Sequence, residues 1–78
     1  MSVRVRYFAA AAERAGVDEE HRFEASLAAL RAAIVGEHPD LGEILPRCAV
    51  LVDGVRTDTD ATLVDATIVD VLPPFAGG

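Results

Sequence analysis

The stretch TIVDVLPPFAGG, residues Thr67–Gly78, decides the fold. Its first six residues alternate as a β-strand does, and Val69 and Val71 share one face of that strand. The two prolines that follow fix φ near the polyproline value and have no backbone N–H, so the strand must end before them. The sequence therefore predicts a folded domain over 1–72 and an extended, flexible tail over 73–78.

The tail is predicted to be a chemical arm. Gly77 and Gly78 have no side chain, Ala76 has only a methyl group, and such a segment can pass through a narrow channel. The α-carboxylate of Gly78, with an ordinary pKa of about 3.5, is a poor electrophile at neutral pH and must be activated before it reacts, as in a mixed anhydride with AMP. The alternative is a disordered terminus, because chain ends are commonly loose.

Composition limits the partners. The chain has 78 residues, enough for one small domain, and a formal net charge of -6, which disfavours nucleic acid and anionic membranes and suits basic proteins. No apolar run is long enough to span a membrane. A single cysteine, Cys48, cannot form an internal disulfide, so a reducing cytoplasm is expected. Cys48 is predicted to be a core residue, with a redox or sulfur-relay role as the alternative.

The first strand is predicted over Ser2–Phe8. Its alternation places Val3, Val5 and Tyr7 toward the core. Phe8 is then a large aromatic residue on the face that carries the arginines. Either the strand end bends and Phe8 packs under a loop, or Phe8 is an exposed contact residue.

One long helix is predicted after Ser26, which is a suitable N-cap. Leu27, Leu30 and Ile34 follow at helical spacing, and Gly36 and Pro39 are predicted to close the helix. A shorter helical run precedes it. That run covers Ala9–Ala15, and Gly16 is placed as a left-handed C-cap.

Three further segments complete the predicted sheet. His21–Ala25 reads as an edge strand, and Cys48–Val52 reads as a central strand. Asp53-Gly54 is a strong hairpin signal, after which Val55–Thr57 pairs back. A short apolar turn separates the long helix from this hairpin, and its members are Leu41, Ile44 and Leu45.

No metal site is predicted. The acidic residues before the last strand lack the glycine and terminal glutamate of a calcium loop, so we interpret them as a solvated turn: Asp58, Asp60 and Asp65. His21 and His38 have no ligand cluster at suitable spacing and are expected at the surface.

This order of elements predicts an α+β fold of the β-grasp, or ubiquitin-like, type. The first and last strands lie parallel at the centre of a mixed sheet, and one main helix covers one face. The other face would carry Phe8, Ile68 and Leu72, close to the point where the tail leaves. An apolar patch at the base of a reactive arm is a docking site for the enzyme that uses the arm.

At this point the chain resembles the small, sulfur-carrying subunits of molybdopterin synthase, a family grouped with the thiamine sulfur carrier among the ubiquitin-like β-grasp proteins. The resemblance covers the whole chain, beginning with VRVRYFA at Val3–Ala9. Its most specific part is VLPPFAGG at Val71–Gly78, which is similar to the family ending Pro-Pro-x-x-Gly-Gly. One departure is Asp65-Ala66, where the family usually has Asp-Gly, and an alanine at positive φ would cost on the order of 1 kcal/mol.

The resemblance implies a function. An enzyme related to the ubiquitin-activating adenylyltransferases would use ATP to adenylate Gly78, and a sulfur donor would convert it to a thiocarboxylate. The tail would then enter the large catalytic subunit of molybdopterin synthase in a two-plus-two assembly and deliver sulfur to a pterin precursor. The carrier would bind no cofactor itself and would be a covalent co-substrate rather than the catalyst. Its partner contacts would be Leu72, Pro73, Pro74, Phe75, Phe8 and Ile68.

Three alternatives remain open at this stage. The chain could carry sulfur for another pathway, such as thiamine, cysteine or tRNA thiolation. It could be a protein modifier joined to lysines through Gly78, although it has no lysine with which to form chains on itself. It could also be a ubiquitin-like binding module whose tail is inert.

Overall fold

The computed structural model describes residues 2–74. Five strands, two α-helices, a short third helix and one 3₁₀ turn follow each other along the chain. They are β1 (Val3–Tyr7), α1 (Ala10–Ala15), β2 (Glu19–Arg22), α2 (Leu27–Glu37), α3 (Pro39–Gly42), a 3₁₀ turn (Leu45–Arg47), β3 (Ala49–Val52), β4 (Val55–Arg56) and β5 (Ile68–Leu72).

The strands form one mixed sheet in the order β2-β1-β5-β3-β4. The parallel pair β1 and β5 lies at its centre, with Arg4 opposite Ile68 and Tyr7 opposite Val71. All other neighbouring strands are antiparallel. The predicted β-grasp arrangement, with the first and last strands parallel in the middle, is therefore confirmed.

The core lies between this sheet and α2. Val3 and Val5 of β1 and Val69 of β5 have no exposed surface, and the α2 side chains Leu27 and Leu30 are at most 1% exposed. Burial of these aliphatic side chains is the main source of folding free energy in a domain of this size. The alternation in the two central strands therefore predicted correctly which side chains point into the core.

Helix α2 begins as predicted and ends later. The Ser26 hydroxyl accepts a hydrogen bond from the Ala29 amide at 3.1 Å. Gly36 lies within the helix, which runs to Glu37, so the predicted stop at Gly36 is wrong. A glycine inside a helix costs only about 1 kcal/mol, whereas Pro39 excludes the helical conformation from the residue before it.

Strand β2 is offset from its predicted range. It covers Glu19–Arg22 rather than His21–Ala25. Pairing with β1 decides this, because Glu19 lies opposite Arg6 and Arg22 lies opposite Val3. Polar residues with low strand propensity are held there by the ladder and by side-chain ion pairs.

Smaller boundary differences have local causes. Cys48 ends the 3₁₀ turn, with its amide donating to the Leu45 carbonyl at 3.0 Å, so β3 starts at Ala49. The predicted apolar turn contains helix α3 as well as this 3₁₀ turn. β4 ends at Arg56, one residue before the predicted end.

The predicted turn chemistry is confirmed at three places. Gly16 caps α1 with a left-handed φ of 78°. Asp53 and Gly54 both have positive φ, 49° and 83°, as a two-residue hairpin of the tight I′ kind requires. Ala66 has φ of 67°, so the position where the resembling family usually has glycine does need positive φ.

The acidic residues before β5 have structural partners. An Asp60 carboxylate oxygen accepts from the Ala28 amide at 2.8 Å, near the start of α2, and an Asp65 oxygen accepts from the Ser2 amide at 2.8 Å. Asp58, Asp60 and Asp65 are exposed, in agreement with the solvated-turn interpretation, and Asp60 and Asp65 also join distant segments through these hydrogen bonds. Residues 2–74 contain no group of His, Cys, Asp and Glu side chains placed to hold a metal ion.

None of the helices within residues 2–74 has the length and apolar character that a membrane crossing requires. The predicted tail residues Phe75, Ala76, Gly77 and Gly78 lie outside the described part of the chain.

Candidate functional site: the open sheet face and the base of the tail

The sheet face opposite α2 is the candidate site, and we call it the open face. Residues from β1, β3 and β5 form it, because those positions alternate with the buried ones and lie side by side in the strand register. Its apolar members are Phe8, Ala49, Leu51, Ile68 and Leu72, and its polar members are Arg4, Arg6 and Asp70.

Phe8, Ile68 and Leu72 are thus brought to one face, as predicted. Phe8 is 39% exposed, and its ring lies 5.7 Å from the Arg6 guanidinium carbon. Of the two alternatives for Phe8, the structure supports the exposed position. Ile68 and Leu72, at the two ends of β5, are half-buried on the same face, with Asp70 between them.

A backbone turn holds Phe8 in place. The Phe8 amide donates to the Val71 carbonyl at 3.2 Å, and the Phe8 carbonyl accepts from the Ala11 amide at 3.0 Å. Ala9, between them, has φ of 49° and ψ of -124°, a conformation that glycine adopts more readily. The predicted helix start at Ala9 is therefore one residue early.

The tail leaves from the central strand. Leu72 is the last residue of β5 and lies opposite Ala49 of β3. Pro73 is half-buried and Pro74 is exposed, so the strand stops at the prolines, as their lack of an N–H predicts. Phe75–Gly78 continue beyond the described residues.

The open face also contains an ion pair that sequence reasoning missed. Arg6 Nε and Nη2 donate to the two Asp70 carboxylate oxygens at 2.6 and 2.9 Å. Asp70 is only 7% exposed. The hydrogen bond to Asp70, outweighing a smaller effect of desolvation, raises the pKa of Arg6. Alternation placed both residues on this face, but only the parallel register makes them neighbours.

A model of the ThiS family matches residues 5–78. The chain belongs to the ThiS family. A relative from Chlamydomonas reinhardtii, a molybdopterin synthase sulfur carrier subunit, is 36% identical over 84 residues, and the match covers 100% of each sequence.

Solved structures agree with the family's fold. One chain in the complex of subunits 1 and 2 of molybdopterin-converting factor from Helicobacter pylori 26695 is 30% identical, with a TM-score of 0.77 and 100% of both chains covered. The small archaeal modifier protein 1 from Methanosarcina acetivorans has a TM-score of 0.88 over 99% of this chain and 96% of its own, at 20% identity. The second likeness shows the β-grasp fold alone.

A polar cluster also lies on the side of the sheet that faces α2. Glu20 Oε2 accepts from the Tyr7 hydroxyl at 3.1 Å and lies 2.8 Å from His38 Nε2. Arg22 Nη1 donates to the other Glu20 oxygen at 3.1 Å. The prediction that His38 is a surface residue is therefore wrong, since it is half-buried and packs edge-on against the Tyr7 ring at 5.9 Å. His21 is exposed, as predicted.

Arg22 connects this cluster to the end of α2. It forms a bidentate pair with Glu24, at 2.9 and 3.1 Å, and also pairs with Glu37. Its hydrogen bond to Glu24 is the main reason that the pKa of Arg22 is raised and the pKa of Glu24 is lowered. These groups join β2 to α2 and lie on the face away from the candidate site.

Cys48 is a core residue. It is 9% exposed, and its Sγ donates to the Ile44 carbonyl at 3.3 Å. Burial raises the pKa of this thiol, against the weaker opposing effect of Arg47, so the reactive thiolate is disfavoured. This geometry supports the predicted packing role and gives no support to a sulfur relay.

Proposed function

We propose that this protein is a sulfur carrier that acts as the small subunit of molybdopterin synthase. The observation that carries the proposal is the full-length similarity to a sulfur carrier subunit of that enzyme, in a chain whose central strand leads directly into Pro73-Pro74 beside an apolar face. The same alignment includes the Gly77-Gly78 ending, which the sequence identified as the reactive part.

The chemistry proceeds at Gly78. An activating adenylyltransferase joins the Gly78 carboxylate to AMP, and pyrophosphate leaves from ATP. Sulfide-level sulfur from the donor then attacks the carbonyl carbon, the bond from that carbon to the AMP oxygen breaks, and AMP leaves, which gives a thiocarboxylate. The thiocarboxylate sulfur is anionic and nucleophilic at neutral pH; it attacks a carbon of the pterin precursor and displaces an oxygen leaving group from that carbon. Water cleaves the acyl–sulfur bond, so the sulfur stays on the precursor and the carboxylate is restored.

The folded domain positions this tail. Gly77 and Ala76 pass through the active-site channel of the large subunit, because bulkier side chains would collide with its walls. Leu72, Pro73, Pro74, Phe75, Phe8 and Ile68 contact that subunit at the base of the tail. The solved complex of subunits 1 and 2 from H. pylori supports such a partner. We assign a two-plus-two assembly to the pair.

Catalysis belongs to the partner in this scheme. The charged groups at the centre of the open face, Arg6 and Asp70, are held in a bidentate pair, and Glu20 and His38 lie on the opposite side of the sheet. The chain therefore supplies a covalent co-substrate, and the large subunit supplies the acid–base groups and the phosphate site for the precursor. ATP is bound by the activating enzyme. The exchange takes place in the cytoplasm, which suits a chain whose single cysteine is a buried thiol.

A mass measurement tests the proposal. The protein is incubated with its activating enzyme, ATP and a sulfur donor, and its intact mass is recorded. We expect the mass gain that corresponds to replacement of one oxygen by one sulfur. A variant without Gly78 is the control and should show no gain, because its terminal carboxyl, now on Gly77, lies one residue short of the activating site.

Other results would favour other functions. Thiocarboxylate formation without sulfur transfer in the presence of the large subunit would point to a carrier for thiamine, cysteine or tRNA thiolation. Attachment of Gly78 to lysines of many proteins would point to a modifier. An unchanged mass under all conditions would contradict the carrier function and leave the binding-module alternative.

A further inference from the structure

The centre of the open face has an unusual composition for a docking surface. The Arg6–Asp70 pair lies on the two central strands, and apolar side chains surround it along β5 and across to β3: Ile68, Leu72 and Leu51. Phe8 lies beside the guanidinium, 5.7 Å away, and on the β2 side Glu19 lies opposite Arg6 in the strand register. Asp70 is almost fully enclosed, with a side chain 10% exposed, whereas the Arg6 side chain is 39% exposed.

This arrangement leaves part of the guanidinium without an acceptor. Asp70 accepts from Nε–H and from one Nη2–H of Arg6. The Nη1 hydrogens and the second Nη2 hydrogen have no acceptor among residues 2–74 and are satisfied by water in the free protein. Any partner that covers the open face displaces this water. An N–H group that loses its water and gains no new acceptor carries a desolvation cost.

We infer that the partner subunit presents an apolar surface with one oxygen acceptor, a carboxylate or carbonyl, opposite Arg6. The inference rests on the proposed function and states the chemistry of the partner that the open face selects. A purely aliphatic partner surface would leave the Arg6 hydrogens unsatisfied, and a lysine or arginine at that place would meet a like charge. Arg6 is thus a specificity-determining residue at the base of the tail.

The ion pair explains how Arg6 can serve this role in an apolar surrounding. The two planar hydrogen bonds to Asp70 fix the guanidinium, so little side-chain entropy remains to be lost on binding. Asp70 also neutralises the arginine, which lowers the cost of covering it. A second copy of this chain is a poor occupant, because two molecules of net charge -6 repel each other.

The test compares affinities for the large subunit by titration calorimetry. The paired variant Arg6→Leu with Asp70→Val removes both charges together, so that neither is left buried alone, and thermal unfolding checks that the fold is kept. Such a replacement is commonly neutral or stabilising for the fold. If the partner has an acceptor opposite Arg6, the variant binds about ten- to a hundredfold more weakly, since that acceptor is left unpaired.

Two matched variants complete the test. Arg6→Gln with Asp70→Asn keeps amide donors on the face and should lose less affinity than the apolar pair. Arg14→Leu with Glu43→Gln removes an exposed ion pair that lies away from the open face, between α1 and the residue after α3 at 3.6 Å, and should change affinity by less than about threefold.

Several outcomes would overturn the inference. Equal or tighter binding of the apolar pair would mean that the partner surface is apolar throughout. Equal weakening by the Arg14–Glu43 control would mean that only general charge matters. A wild-type protein that forms dimers broken by the apolar pair would assign the face to a second copy. A wild-type protein that does not bind the large subunit at all would contradict the proposed function as well.

Discussion

At the residue scale, two alanines take backbone conformations that glycine adopts more readily. Ala9 has φ of 49° and Ala66 has φ of 67°. The resemblance to a family with Asp-Gly at the second place exposed the problem at Ala66. The sequence did not indicate the positive φ of Ala9, because a run of alanines is typical of a helix. The turn after β1 decides the conformation of Ala9.

Ala66→Gly should stabilise the protein. The left-handed region costs an alanine roughly 1–2 kcal/mol, and the greater freedom of glycine in the unfolded chain returns part of this, so we expect a net gain of about 0.5–1 kcal/mol. Chemical denaturation measures it. Ala32→Gly, at an exposed position within α2, is the control and should destabilise by about 1 kcal/mol. If the Ala66→Gly variant were less stable than wild type, Ala66 would not be strained in the native protein.

At the scale of elements, the polar cluster joins β2 to the end of α2. Strand β2 has the sequence EEHR, which has no alternation of apolar residues and gives a weak strand signal. Its register against β1 places Glu20 beneath the Tyr7 hydroxyl and beside His38. Ion pairs and backbone pairing thus hold an edge strand that sequence pattern alone puts two residues too late.

Glu20→Gln should change how stability depends on pH. Burial raises the pKa of Glu20, but hydrogen bonds from His38, Arg22 and Tyr7 outweigh this effect and bring the pKa below its ordinary value of 4.5. The carboxylate therefore stabilises the fold above about pH 4.5, and this contribution is lost as the pH falls through the lower folded pKa. At pH 7 the variant should be less stable by about 1–3 kcal/mol.

The measurement is urea unfolding of both proteins from pH 7 into the acid range. The difference in unfolding free energy between wild type and Glu20→Gln should shrink steadily below pH 4.5. Glu13→Gln on the exposed side of α1 is the control and should stay within about 0.5 kcal/mol of wild type. A Glu20 difference that does not vary with pH would show that packing, and not charge, makes the contribution.

At the scale of the whole molecule, the fold separates two tasks between the two sides of one sheet. The helix side provides the core and the polar cluster. The open side provides an apolar surface with the Arg6–Asp70 ion pair at its centre, and the tail begins at its edge. Because β5 is both a central strand and the base of the tail, a rigid element sets where the tail starts.

Phe8→Ala should weaken binding to the large subunit by about tenfold or more, since exposed aromatic residues near a reactive segment are typical energetic centres of interfaces. The unfolding temperature should change little, because 39% of Phe8 is already exposed. Calorimetric titration and thermal unfolding measure the two effects. Phe23→Ala, at a 71% exposed aromatic after β2, is the control. A Phe8 variant that melts well below wild type but binds normally would make Phe8 a packing residue.

The sequence by itself determined the two central strands, the main helix and the β-grasp order. These follow from local rules, namely alternation, helical spacing, capping, and the fixed φ of proline. Only the tertiary structure decided which side chains meet: Arg6 with Asp70, and Glu20 with Tyr7 and His38. Those contacts join residues far apart in the chain, so strand register and helix placement create them, and no local pattern contains that information.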